Sequence, residues 1–184
     1  MKSKDMRTIA IVTALVGAVG ASALSAQDKY TVKVPGGLAF AEFRGYEGWQ
    51  LVSISQDGPA IAAILANQVM IDAYRAGMPG NGKPFPDGSK MAKIHWNPIS
   101  MAIFPAATVP GVQHDVDFMV KDSKRFPDSG GWGWAAFIHD TTSGTFSPAT
   151  AAAKPPQGNN ATCGLGCHTI AKSKDLVFTD YAPR

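Results

Sequence analysis

Cysteine is almost missing from this 184-residue chain: there are two, Cys163 and Cys167, so any chemistry that depends on thiols sits at one place. Methionine is absent from the C-terminal third, all seven preceding those cysteines and the last being Met119. An excess of charge is lacking too. The 17 Lys and Arg face 14 Asp and Glu, and setting aside residues 1–26, with Lys2, Lys4 and Arg7 against Asp5, leaves a formal charge of +1. That balance argues against a nucleic-acid surface, which needs a basic patch to neutralise phosphates. No internal repeat is present, and beyond the N-terminus no apolar run is long enough to span a bilayer. Helix-friendly stretches are scarce, because 19 Gly and 13 Pro interrupt the chain too often for a long-helix bundle or coiled coil. A 45% hydrophobic content excludes a disordered chain. What remains is a compact, loop-rich, strand-bearing single domain.

The N-terminus carries a short basic stretch, Met1 to Arg7, an apolar run from Thr8 to Gly20, and small residues at Ala21, Ser22, Ala23, Ser25 and Ala26. That order is an export signal with its cleavage site. The expected organisation is a cleaved segment over 1–26 and a mature domain over 27–184. The mature protein is expected to be soluble and exported, periplasmic in a Gram-negative host, with no membrane contact after cleavage.

Along the mature chain, Phe40 to Trp49 reads as a short amphipathic helix turning at Gly45 and Gly48, and Gln50 to Ser55 alternates as a strand. Ala60 to Ala66 is a continuous apolar run that periodicity cannot assign to helix or strand. Asn67 is a candidate cap for a helix over Gln68 to Ala76, with Val69, Ile71, Ala73 and Tyr74 as its buried stripe and Gly77 as its stop. Gly77 to Gly88 reads as an extended loop. Ser89 to Trp96 is a strand with Met91, Lys93 and His95 on one face and Ala92, Ile94 and Trp96 on the other. Asp115 to Lys121 and Trp132 to His139 are two further strands that can pair across a turn at Pro127 to Gly131. Thr141 to Asn160 is weakly patterned and reads as a surface excursion.

The chemistry concentrates in Cys163-Gly164-Leu165-Gly166-Cys167-His168. Two thiols beside an imidazole resemble a c-type haem attachment site, in which the thiols bond the porphyrin and the imidazole binds its iron. The usual spacing has one residue fewer. On a helix, positions i and i+4 share a face about as well as i and i+3, and Gly164 and Gly166 can absorb a local distortion. The alternatives are a Cys163–Cys167 disulfide or a zinc site. A disulfide closing so small a loop stabilises little, and no second ligand pair with zinc spacing exists. A C-terminal motif with no methionine after it disfavours a small electron carrier and leaves a β-rich cytochrome.

A succession of further elements resembles the cytochrome P-460 family, which includes the beta-type cytochromes c-prime. These are Tyr46-x-x-Trp49, Pro86-Asp87-Gly88-Ser89 leading to Lys93, Val120 to Phe126, Gly131-Trp132, the haem motif, and Asp175-Leu176-Val177-Phe178-Thr179. The resemblance implies a mainly β fold, an antiparallel sheet with a few peripheral helices, in a homodimer. It also implies haem c held by Cys163 and Cys167, with five-coordinate iron on His168. Its enzymatic branch oxidises hydroxylamine and links a lysine to the porphyrin edge; Lys93 falls at that position. Its c-prime branch binds nitric oxide or carbon monoxide without the link. This chain departs from the family at Glu47, where an arginine is common, and Glu47 becomes a candidate acid for proton transfer; Arg44 is the nearest substitute for the lost cation. Lys93 otherwise reads as a strand lysine whose stem packs while its ammonium reaches water. His95, His114 and His139 read as surface or supporting histidines. Trp132, Trp134, Phe118 and Phe137 read as core or haem-packing aromatics, and Lys121 to Arg125 as a solvated turn. Two functions compete: oxidation of a small nitrogen compound, with electrons passed to a soluble acceptor such as another cytochrome, and gas binding or electron transfer without turnover. A haem-free domain with a disulfide is the third reading.

Overall fold

The computed structural model describes residues 27–34, 37–149 and 164–183. Residues 1–26, expected from the sequence to be an export segment, and Cys163 lie outside them. Six strands form one antiparallel sheet in chain order: β1 (Gln50–Asp57), β2 (Ala60–Ala66), β3 (Lys90–Met101), β4 (Phe104–Lys121), β5 (Trp132–Asp140) and β6 (Thr145–Pro148). Two helices flank it, α1 (Gln68–Arg75) and the four-residue α2 (Leu165–His168), with short 3-10 turns between and beyond them. The mainly β architecture is the one expected.

Ala60–Ala66 resolves as a strand because Gly58, at φ +53°, and Pro59 make a two-residue turn that folds it back on β1, with Asp57 opposite Ala60. Its other edge pairs with β3, so backbone bonding on both sides settles what periodicity left open. Asn67 caps α1 as expected, its side chain accepting from the Met70 N–H at 3.2 Å. The buried stripe is Met70, Ile71, Ala73 and Tyr74; Val69 is exposed, which corrects the sequence reading by one position. Phe40 to Trp49 forms two 3-10 turns, Phe40–Phe43 and Tyr46–Gly48, instead of one helix. Gly45, at φ +81°, breaks the helical path between them.

The longest correction concerns β3 and β4. Both run past the segments expected from sequence into a two-stranded arm, in which Pro98 sits opposite Pro110. β2 stops pairing at Trp96 and β5 at Asp115, so in the arm the missing proline N–H groups cost no ladder bond on the open sides. β6 lies in the stretch read as a surface excursion. It is four residues long and pairs only with β5.

Register divides the sheet into two faces. Ala92, Phe118 and Ala135 align on one face, where Phe40, Phe43 and Tyr46 cover them; Phe43 stacks on Phe118 at 4.1 Å between ring centres. On the other face Met91, Met119 and Trp134 align, beside Ile64, Lys93, Asp117 and Ala136. α1, Phe85 and the C-terminal Leu176 and Val177 cover only part of that second face. The uncovered part is the site.

Candidate functional site

A cavity of about 720 Å³ opens between the second face of the sheet and the C-terminal segment. Ile64, Met91, Met119 and Trp134 give it an apolar wall, while Cys167, His168, Val177 and Phe178 come from the C-terminal side. Lys93, Asp115 and Asp117 line the same space, together with Ser55 and Asp57 from β1. Thus Lys93 lines the same cavity as Cys167 and His168, more than seventy residues further along the chain.

His168 is oriented by its backbone surroundings. Its Nδ1 lies 2.6 Å from the Leu176 carbonyl oxygen. A carbonyl can only accept, so Nδ1 carries the hydrogen and Nε2 keeps its lone pair for a metal. The ring packs against Trp134 and Phe178, with centroids 5.4 and 4.8 Å away. Burial lowers its pKa, the Leu176 hydrogen bond opposes that, and the charge of Lys93 lowers it further. A neutral imidazole with one fixed nitrogen is the form that binds iron.

The Leu176 carbonyl is itself placed by an unusual turn. Asp175 and Leu176 adopt φ of +52° and +63°, left-handed conformations that L-residues other than Asn and Asp seldom hold. The turn is tied down by the Asp175 carboxylate, which accepts from the Phe85 N–H at 2.8 Å and pairs with Lys121 Nζ at 2.8 and 2.9 Å. Lys121 also donates to the Gly130 carbonyl at 2.8 Å. Its side chain is only 6% exposed and its ammonium lies 5.0 Å from the Trp132 ring centre. This corrects the reading of Lys121 as part of a solvated turn. At the end of β4, opposite Trp132, it reaches under the indole toward an acid 54 residues away, which no local pattern reveals. Arg125 is likewise engaged, pairing with Glu42 at 2.6 Å.

The polar end of the cavity is acidic. Asp117 stands directly across from Lys93 in the β3–β4 register. Its side chain keeps 47% of its surface open, but that surface borders the cavity, and surrounding protein with the negative charge of Asp115 pushes it up to about 6. Burial opposes ionisation of Asp115 as well, yet contacts with His95 and His114 hold that group below the usual carboxylate range. Sequence reasoning did not single out this pair. Their signal was the shared spacing-two face of β4, legible only once the strand's register against Lys93 was known.

Glu47 lies elsewhere. It pairs with Lys29 and is absent from the cavity lining, next to Tyr46 in the core on the opposite face. Arg44 lies 3.7 Å from the Tyr30 ring centre and does not line the cavity either. His139 packs against Phe146, in keeping with a supporting role. Of the aromatics, Trp134 lines the cavity, Trp132 sits in the adjoining core, and Phe137 is buried on the opposite face.

The residues present fit a haem. The indole N–H of Trp134 and the hydroxyl of Ser55 are buried without a partner, and both residues line the cavity. Buried donors left unmatched in a largely apolar pocket are suited to a polar or redox-active guest. His168 Nε2, Cys167 and the apolar wall supply the remaining requirements of a porphyrin. A family model described as Cytochrome P460 matches residues 43–179. A search of curated proteins finds no match.

Proposed function

The chain belongs to the cytochrome P460 family, and on that premise we propose that it is an exported haem c oxidoreductase acting on hydroxylamine or a related small nitrogen compound. The observation that carries this reading is the acidic end of the cavity, where Asp57, Asp115 and Asp117 line the space that His168 and Lys93 also border. A site dedicated to nitric oxide or carbon monoxide has no use for carboxylates, whereas oxidising an N–H or O–H compound releases a proton with each electron and needs acceptors. Carboxylates also disfavour anions such as nitrite and favour small hydrogen-bond donors.

His168 would hold the iron, Cys163 and Cys167 the porphyrin, and Lys93 its edge. When bound, the haem supplies an open coordination position and a redox centre through which substrate electrons pass to a soluble one-electron acceptor. Asp117 accepts the proton that leaves the substrate, a role proposed here in place of Glu47. The Leu176 carbonyl keeps the imidazole in one tautomer, and Ile64, Met91 and Trp134 limit water. The protein acts in the periplasm as a homodimer.

The test is the ferrous spectrum of the purified exported protein beside Lys93→Ala, with hydroxylamine turnover measured on both. A cross-link interrupts ring conjugation, so the wild-type Soret band is expected to be strongly red-shifted and turnover to depend on Lys93. An ordinary c-type spectrum without turnover would leave gas binding as the function.

A further inference from the structure

Protons removed in the cavity must reach solvent, and the structure contains a connected set of groups leading there. His95 Nδ1 contacts Asp115 Oδ1, and His114 Nδ1 lies 2.8 Å from Asp115 Oδ2, so one carboxylate bridges two imidazoles. The same His95 Nδ1 is 4.0 Å from Asp117 Oδ2, at the cavity wall. Asp117 has 47% of its side chain open, on the side that borders the cavity; behind it, side-chain exposure rises from 14% at His95 to 26% at Asp115 and 40% at His114.

The placement of His114 has a specific backbone cause. His95 pairs with Asp115, but the next residue of β3, Trp96, pairs with Gln113, so His114 is an extra residue on β4. In a regular strand, His114 would point to the face opposite Asp115. The bulge re-aims it, and its ring stacks on His95 at 5.7 Å and 15°. The register irregularity thus does what sequence alternation alone would forbid. It brings an exposed imidazole into line with two cavity acids.

We propose that Asp117, His95, Asp115 and His114 form the route by which protons leave the cavity; this rests on the oxidative reading above. Transfer starts at the Nδ1–H of a doubly protonated His95, which passes its proton to the Asp115 carboxylate at Oδ1. His114, in the tautomer protonated on Nε2, takes that proton from Asp115 Oδ2 on its Nδ1, releases its Nε2 proton to water, and regains its starting tautomer by a flip of the ring. The emptied His95 Nδ1 is then refilled by the proton that Asp117 took in the cavity, across a gap that one water or a small swing of the ring closes. Each transfer breaks one O–H or N–H bond as the next forms, and the four groups finish in their starting protonation states. The electrons leave separately to the acceptor. Lys93 and Asp57 face the inner end of the route, and Lys93 opposes accumulation of a second positive charge there.

His114→Ala tests the route from its exposed end, with His114→Gln as the variant closer in size. The haem-loaded protein is mixed with reductant in weakly buffered solution, and proton uptake is followed with a pH indicator by stopped flow. Uptake by the wild type is expected, slowed about tenfold or more in both variants and restored by added imidazole. The absorption spectrum should stay unchanged. Uptake at wild-type rate in the variants, slow uptake that imidazole does not restore, or no uptake by the wild type would each overturn the route. Wild type that exchanges protons this way yet leaves hydroxylamine untouched would overturn only the oxidase reading.

Discussion

Replacing Asp175 by Asn tests whether a buried ion pair builds the turn that orients His168. The substitution keeps an oxygen that can accept from the Phe85 N–H but removes the charge facing Lys121. Lys121, 6% exposed in its side chain, is then left with the Gly130 carbonyl and the Trp132 ring. Stranding one member of a buried pair costs about 3–5 kcal/mol, and because Lys121 keeps two partial partners the lower end, about 3 kcal/mol, is expected here. That is about a hundredfold in the folding constant. Lys121→Met should cost a similar amount by stranding the Asp175 carboxylate. The double variant Lys121→Met/Asp175→Asn leaves no uncompensated charge, so it should be less destabilised than the sum of the singles by at least about 1 kcal/mol. Urea denaturation of all four proteins, read by tryptophan fluorescence, supplies the numbers. The left-handed turn at Asp175 and Leu176 also loses its tie, so the singles should bind iron through His168 less uniformly, visible as mixed ligation in the absorption spectrum. Additive single and double effects, or singles within about 0.5 kcal/mol of wild type, the range of an ordinary surface substitution, would refute the reasoning.

Surrounding protein and the charge of Asp115 push Asp117 up to about 6, so turnover should fall as pH drops through that value and the acceptor fills; in Asp117→Asn the remaining activity should lose this step. The same shift has a stability consequence of definite sign. The folded state favours the protonated acid, so this group's contribution is most favourable below the ordinary carboxylate range and is lost as pH rises to about 6. Asp117→Asn should therefore be more stable than wild type at pH 7, by about 1 kcal/mol after allowing for its open side, and equal to it near pH 3; thermal melts at both pH values check this. Gly133→Ala should cost about 1–3 kcal/mol by overpacking, because a Cβ there would meet Phe126 at 2.4 Å in the core; denaturation midpoints measure it. Haem bound through Cys163 and Cys167 should stay with the chain in acid acetone, and haem that extracts would count against covalent attachment.

The two faces of β3 were legible in the sequence, since spacing-two alternation put Met91 and Lys93 opposite Ala92 and Ile94. The capped helix after Asn67 was legible too, because a cap and a stop are local events. The family was legible from the elements around the cysteine motif, which the match over residues 43–179 bears out. Periodicity failed where partners decide. Ala60–Ala66 became a strand because two neighbours bond it, and Pro98 and Pro110 were admitted to strands because their open edges ask nothing of them.

The site itself divides in the same way. The sequence by itself determined that Cys167 and His168 are adjacent, and that Lys93 lies on a strand beside Met91 and His95. Only the tertiary structure decided that Asp117 stands across from Lys93, that Glu47 lies away from the cavity, and that Lys121 is buried against Asp175. These are pairings between residues far apart in the chain, or on opposite faces of one sheet. Their charges look alike in sequence, and burial and register alone distinguish a solvated carboxylate or lysine from one that holds a ligand or takes a proton.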